Sequence, residues 1–139
     1  MISLTELIHC GKAPEDLDPE KLAQEQDLLE RVNKVRAAWG KPMTVTSGVR
    51  TWADHIRIYA QKGITDLAHI PKASHHLETV TDSAAVDIAD PGLELTEWLK
   101  TPEGNAVLEE AGLWCEAGNS NWWHAQNAPP KSGNRWFLP

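Results

Sequence analysis

The chain has 139 residues, of which 41% are hydrophobic and 24% are charged, and its formal net charge is -7. This size and composition are typical of a globular protein with one hydrophobic core, so we expect residues 1–139 to form one domain. The negative charge argues against a broad electrostatic contact with nucleic acid or anionic lipid, and no apolar stretch reaches the length of a membrane span, so neither partner is expected.

The N-terminal stretch and the cysteines bear on where the protein is made. The first residues, MISLTELIHCGKAPEDLD, lack the basic start and the apolar block of a signal peptide, so we expect synthesis in the cytoplasm. Cys10 and Cys115 are far apart and belong to no pairing motif. This favours two free thiols that fill core space over a disulfide.

The first predicted element is an amphipathic helix from Asp18 to Trp39. Asp18 is a good N-cap, Pro19 fits the first helical position, and Gly40 helps to end the helix. The apolar residues that recur at helical spacing are Leu22, Leu29, Val32, Val35 and Trp39.

A short strand and a second helix are predicted next. Residues 43–49 are rich in β-branched side chains and end in a Gly-containing turn, which is typical of a strand. Thr51 can cap the second helix, which Gly63 closes. Residues 64–82 show no clean period, and a long loop of this kind is often functional.

The next predicted strand, AAVDIAD at 84–90, has a mixed pattern. Val86 and Ile88 point to one face, while Asp87 lies between two alanines on the other. A carboxylate between two small residues is typical of a site that faces a cleft.

Two short helices, at 93–99 and 102–111, and two strands, at 112–117 and 121–127, complete the regular elements. On the last strand, one face is shared by Trp122, His124 and Gln126. Residues 129–139 are rich in turn formers and are expected to pack along the surface. Early helices and late, tightly connected strands predict an α+β fold, with helices on one face of a mainly antiparallel sheet and the other face free for a site.

Tryptophan is unusually frequent, with seven residues against one Phe and one Tyr. Trp39 and Trp98 fall on the apolar faces of predicted helices and are expected in the core. Trp122 and Trp123 fit either the core or a groove in which a ligand stacks.

Three separate segments offer ligands of the kind that zinc prefers. Catalytic zinc usually takes three protein ligands and keeps one position for water, and neutral imidazoles with a carboxylate suit it. The candidates lie in Ser74–His76, at Asp87 and at His124. Composition alone is a weak signal, because six histidines in a chain of this length will offer some triads by accident.

The order of these segments adds a resemblance to a known family. SGVRT, SHHLETVTDSAAVDIAD and NWWHAQ, in this order, resemble the zinc D-Ala-D-Ala carboxypeptidases and dipeptidases. That family shares its fold with the Hedgehog signalling domain and includes phage endolysins that cut peptidoglycan stems. The resemblance covers residues 43–126 and implies a monomeric enzyme with one Zn²⁺ and a peptidoglycan peptide as substrate. It would act on the cell wall after release or as a virion component.

Carried over by position, the resemblance implies a role for each matching residue. The zinc ligands would be His76, Asp87 and His124. Arg50 matches the arginine that steadies the carbonyl oxygen of the scissile bond, a role that suits a fixed cation. The alternative for Arg50 is a surface arginine at a strand end. The residues expected to contact substrate are Arg50, Ser83 and Trp123.

The chain departs from the family pattern at two places. The stretch between His76 and Asp87 is longer than usual, which leaves His75 as a competing ligand. Dipeptidase-like members read Glu-Trp-Trp-His, with the Glu as general base, whereas this chain has Asn121, whose amide cannot transfer a proton. Glu116 on the neighbouring predicted strand is the candidate base, and its alternative is an exposed acid at a strand end.

These observations leave three hypotheses. The first is a zinc peptidase that acts on peptidoglycan stem peptides, with Glu116 and Arg50 as catalytic residues. The second is a non-catalytic zinc-binding module, structural or wall-binding, in a phage virion, which Asn121 favours. The third is an α+β domain without a metal, and it requires the three matching segments to be a coincidence.

Overall fold

Five α-helices and a five-stranded mixed sheet make up the computed structural model, which describes residues 1–139. The helices are α1 (Leu4–Ile8), α2 (Pro19–Trp39), α3 (Trp52–Gln61), α4 (Glu94–Leu99) and α5 (Pro102–Ala111). The strands are β1 (Val45–Ser47), β2 (Ala85–Ala89), β3 (Trp114–Glu116), β4 (Trp122–Gln126) and β5 (Trp136–Phe137). The α+β class predicted from the order of elements is confirmed. None of the helices combines the length and the apolar character that a membrane crossing requires.

Capping residues fix the helix boundaries where local chemistry predicted them. The Asp18 side chain accepts a hydrogen bond from the Glu20 N–H at the start of α2, and Gly40 ends the helix in a left-handed conformation, with φ of 76°. Thr51 caps α3 and Thr101 caps α5 in the same way as Asp18, by accepting from a backbone N–H of the first turn.

The strands lie in the order β1-β2-β4-β3-β5. Three of the pairings are antiparallel, and β5 runs parallel to β3. In the β2–β4 pairing Asp87 lies directly opposite His124, so the two side chains leave the sheet on the same face. This register therefore brings together two residues that are far apart in sequence.

One face of the sheet packs against α1, α2, α4 and α5 to form the main core. α3 contributes no side chain to this core, which corrects the expectation that the helices share one face. Strand residues Val86, Ile88, Trp123 and Ala125 contribute to a cluster of 17 buried side chains. The helical members of this cluster include Leu28, Val32, Val35, Leu95, Leu99 and Leu108. Trp39 and Trp98 pack against the cluster with ring centroids 5.3 Å apart, as their helical positions predicted.

Two elements lie outside the sequence-based expectations. α1 begins with a capping box in which Ser3 and Glu6 bond reciprocally, a local signal that predicts a helix start. Residues 129–139, expected to pack along the surface, include β5, which extends the sheet beside β3. A strand of two residues is too short to show a period in sequence.

The buried face of α2 includes a charged pair. Lys21 and Glu25 are both fully buried, and the Lys21 Nζ lies 3.8 Å from the Glu25 carboxylate. Neither carboxylate oxygen of Glu25 has a hydrogen-bond partner. Burial raises the pKa of Glu25 from an ordinary value of 4.5 to about 7, and the charge of Lys21 opposes this only in part.

Glu25 should therefore make the fold less stable as the pH rises. Because its pKa is higher in the folded chain than in the unfolded chain, the folded state holds the extra proton between pH 4.5 and about 7, and stability falls through this window. Glu25→Gln has no proton to lose. We expect the variant to gain about 2 kcal/mol in unfolding free energy relative to the wild type between pH 5 and pH 8.

Urea unfolding of the wild type and of Glu25→Gln at several pH values measures the difference between their unfolding free energies. Glu30→Gln, an exposed position on the same helix, is the matched control and should show no such trend. A constant difference between Glu25→Gln and the wild type across the range would contradict the expectation.

Candidate metal centre

Side chains of His76, Asp87 and His124 converge on the face of the sheet opposite the main core, the face on which α3 also lies. Their ligand atoms all lie within 4.8 Å of one another. His76 Nε2 is 3.3 Å from His124 Nδ1 and 3.3 Å from Asp87 Oδ1, and His124 Nδ1 is 2.9 Å from Asp87 Oδ1. These three residues form a group that could hold a metal ion.

His76 comes from the long loop rather than from the sheet. Its backbone carbonyl accepts a hydrogen bond from the Arg50 N–H, and the Arg50 carbonyl accepts one from the Glu78 N–H. These bonds form a parallel bridge between Arg50 and Leu77. The bridge holds the loop against the end of β1 and places the His76 ring beside the β2–β4 pairing.

The outer nitrogen of each imidazole has a hydrogen-bond acceptor. His76 Nδ1 lies 2.8 Å from the Gly48 carbonyl oxygen, to which it donates. Gln126 donates through its Nε2 to the Ala128 carbonyl at 2.8 Å, so its Oε1 faces His124 Nε2, 2.9 Å away, and accepts from it. These partners hold one proton of each ring on the side that faces away from Asp87.

The inner side of the group consequently consists of acceptors. His76 Nε2 and His124 Nδ1 direct lone pairs at one oxygen of Asp87, and these three atoms are 2.9 to 3.3 Å apart. Three acceptors at this separation repel one another unless a positive charge lies between them. A proton or a metal cation satisfies the arrangement, and the outer acceptors are of the kind that orient metal-bound histidines.

The pKa shifts of the group describe the case in which a proton, and not a metal ion, lies between the acceptors. Burial would raise the pKa of Asp87, but the charge of His76 and hydrogen bonds to both histidines hold it well below its usual range. Burial lowers the pKa of His76. Burial also opposes the charged form of His124, but the hydrogen bond and charge of Asp87 prevail and raise its pKa. The carboxylate thus stays ionised and draws a cation.

Arg50 lies directly behind the carboxylate of Asp87. Its guanidinium is nearly buried, with Nη2 donating to Asp87 Oδ2 at 3.2 Å and Nε donating to Ser47 Oγ at 3.0 Å. Nη1 lies 3.5 Å from His55 Nδ1, and the other ring nitrogen of His55 donates to the Pro71 carbonyl. Arg50 is therefore not a surface arginine: it is fixed by three side chains and also borders the cavity described next.

A cavity of about 750 Å³ opens over the group. Of the side chains that line it, only Asp87 and Glu116 are carboxylates. Glu116 Oε2 is 3.8 Å from His124 Nε2, and its Oε1 accepts from Asn119 Nδ2 at 3.4 Å. Aromatic walls are supplied by Tyr59, Trp122 and Phe137. Asn121 also lines the cavity, so both residues considered for proton transfer are at its surface.

The structure corrects the expected roles of Ser83 and Trp123. Trp123 is 1% exposed, packs in the main core and donates from Nε1 to Cys115 Sγ at 3.0 Å. Strand alternation explains this, because Trp122 and His124 share the face of β4 that borders the cavity. Ser83 is also 1% exposed and is not part of the cavity wall.

His75 lies close to the group but is not one of its members. Its Nδ1 forms a short hydrogen bond with Ser83 Oγ, and its ring borders the cavity. The structure thus brings His76, and not His75, into the group of three. Gln126 and His55 were not expected at the site, although Gln126 shares the face of His124 two residues along the strand.

Comparisons with protein-family models, with curated proteins and with solved structures found no match to this chain. A function is therefore inferred from the arrangement of the chain's own residues: three imidazoles, two carboxylates and a buried guanidinium line one cavity.

Proposed function

We propose that this protein is a zinc-dependent peptidase that hydrolyses peptide bonds in peptidoglycan stem peptides, with the fold of the D-Ala-D-Ala peptidases and the Hedgehog domain. The observation that carries the proposal is the inner ring of three acceptors formed by His76, Asp87 and His124 at the floor of a cavity. The three sequence segments that resemble the D-Ala-D-Ala peptidases, in the same order, also support this proposal. Action on the wall then follows release from the cell or transport on a virion.

The donor set favours zinc among common metal ions. Two imidazole nitrogens and one carboxylate oxygen are typical of catalytic zinc, whereas calcium and magnesium prefer oxygen ligands. With three protein ligands a tetrahedral ion keeps one position, which would face the cavity. The acceptors behind both rings, Gly48 and Gln126, complete the surroundings that such ligands usually have.

The residues around the group can perform the proton and charge steps of peptide hydrolysis. A zinc ion held there would polarise the peptide carbonyl and lower the pKa of an attacking water to about 7. Glu116 would take the proton from that water and return it to the leaving amine. The fixed charge of Arg50 would stabilise the carbonyl oxygen as it becomes negative. A cavity of about 750 Å³ with aromatic walls is large enough for a short peptide.

One observation favours a second candidate, a non-catalytic zinc-binding module with a structural or wall-binding role in a phage virion. Asn121 lines the cavity, and the resemblance of the Asn-Trp-Trp-His segment implies that it takes the place of the general base of dipeptidase-like enzymes. An amide cannot accept and return a proton, so this position does not supply the base. The two candidates differ in whether Glu116 replaces it.

Metal content and peptide release, measured on the same preparation, separate the candidates. We expect about one zinc per chain by elemental analysis and release of peptides or amino acids from purified peptidoglycan. Masses of the products then identify the bond, whether D-Ala-D-Ala or L-Ala-D-Glu. Zinc without release supports the non-catalytic module and contradicts the peptidase. Absence of zinc, even after incubation with excess zinc salt, contradicts both.

A further inference from the structure

The loop from His75 to Ser83 connects two parts of the candidate metal centre. His76 lies near its beginning, and the strand that carries Asp87 starts two residues after Ser83. In the middle of the loop Thr79 and Asp82 are exposed, whereas Leu77 is buried. The distance between the two ends of this loop therefore helps to decide where the His76 ring stands relative to the carboxylate.

The ammonium of Lys21 contacts both ends of this loop. Lys21 Nζ donates to the His75 carbonyl at 2.9 Å and to the Ser83 carbonyl at 2.8 Å. The lysine belongs to α2 and is separated in sequence from these partners by 54 and 62 positions. One buried cation thus joins the two ends of the loop to each other and to the helix.

The geometry indicates that the loop, and not Glu25, is the main partner of Lys21. An ammonium offers three donors, and two of them are used by the loop carbonyls at short distances. Glu25 is farther away, at 3.8 Å, and accepts no hydrogen bond. Burying a lysine is costly, so its full burial at this position requires the compensation that the two carbonyls give.

We propose that Lys21 is a positioning residue of the metal centre: by closing the His75–Ser83 loop it holds His76 at the correct distance from Asp87. The proposal rests on the proposed function, because the centre is taken to bind zinc. Ligand positions must hold to within about half an ångström for tight binding. The bridge from Arg50 to Leu77 and the side-chain bond between His75 and Ser83 also hold the loop, but Lys21 is the residue that bonds both of its ends to α2.

Zinc affinity, measured by competition with a chromophoric chelator, tests this assignment without reference to peptidase activity. Lys21→Met keeps the length of the side chain but removes its donors, and we expect the affinity to fall about 10- to 100-fold. Lys34→Met, at an exposed lysine of the same helix, is the matched control and should bind zinc like the wild type. Cobalt-substituted samples should show an altered visible spectrum for Lys21→Met alone, which reports on ligand geometry.

A second variant separates positioning from folding. Lys21→Met leaves Glu25 buried without its neighbouring charge, whereas Lys21→Met/Glu25→Met replaces the whole pair by apolar side chains, which is often neutral or stabilising. We expect this double variant to unfold at a urea concentration close to that of the wild type and yet to bind zinc about 10- to 100-fold more weakly.

Each outcome decides the assignment. A folded double variant that binds zinc as tightly as the wild type overturns it, and a double variant that does not fold overturns it too, since the pair would then be a requirement of the fold itself. If the wild-type chain binds no zinc, the proposed function fails together with the role of Lys21. If zinc binding depends on Lys21 but no peptide is released, the role of Lys21 stands and only the peptidase fails.

Discussion

Asp87→Asn should remove zinc binding, with the affinity falling by more than about 100-fold, beyond the usual effect of losing a residue behind a ligand. In the wild type, Oδ1 of Asp87 faces both imidazoles while Oδ2 accepts from Arg50. An asparagine has one oxygen and one amide nitrogen. If the amide nitrogen takes the place of Oδ1, its N–H groups point at the imidazoles and exclude the ion. If it takes the place of Oδ2, its N–H groups face the N–H groups of Arg50.

Chelator competition and elemental analysis of the purified variant measure this loss. Asp82→Asn, at an exposed carboxylate of the preceding loop, is the control and should keep about one zinc per chain. Unfolding of the metal-free chains should be compared as well, because Asp87→Asn leaves the buried Arg50 without its carboxylate. A folded Asp87→Asn chain with wild-type affinity would mean that the ion, if bound, lies elsewhere.

Glu116→Gln should abolish hydrolysis while leaving zinc in place. The substitution keeps the shape of the side chain but removes its capacity to accept a proton, and loss of a general base typically slows a reaction 10²- to 10⁴-fold. Apart from Asp87, no other side-chain carboxylate lines the cavity, so no neighbouring side chain offers the same function. We expect kcat to fall by about this factor at unchanged metal content.

The rate of peptide release and the zinc content of the same samples check this expectation. Glu110→Gln, at an exposed position of α5, is the control and should be as active as the wild type. Full activity of Glu116→Gln would eliminate Glu116 as the base. The next candidate would be His75, the one histidine of the cavity wall outside the group of three, whose pKa is lowered by burial.

Local chemistry in the sequence predicts the elements other than α1 and β5, and two of the three grouped residues. Asp18, Pro19 and Gly40 bound α2 where predicted, because caps act within one turn of the helix. Strand alternation was enough to direct Asp87 and His124 away from the core. The same alternation places Trp123 in the core and Trp122 in the cavity wall, so the structure does not support the expected substrate contact of Trp123.

The contribution of the long loop could not be derived from sequence in the same way. The choice between His75 and His76 depends on how an irregular segment passes the end of β1, and the deciding bonds are backbone bonds of Arg50. The buried residues of α2 recur at helical spacing, and this periodicity is visible in the sequence. They are Lys21, Glu25, Leu28, Val32 and Val35. Charged residues are rarely core, and the carbonyls that receive Lys21 are distant in sequence, so the spacing alone did not predict their burial.

The strand order also determines when, during folding, the candidate metal centre can form. β4 lies in the middle of the sheet, between β2 and β3, although it is the fourth strand in chain order. Until it inserts, β2 has an open edge, and Asp87 lacks His124, which is 37 positions away in sequence. Pairings of this separation form slowly. A metal ion that took all three proposed ligands could bind only after β2 and β4 had paired, and its binding free energy would then stabilise this pairing against reopening.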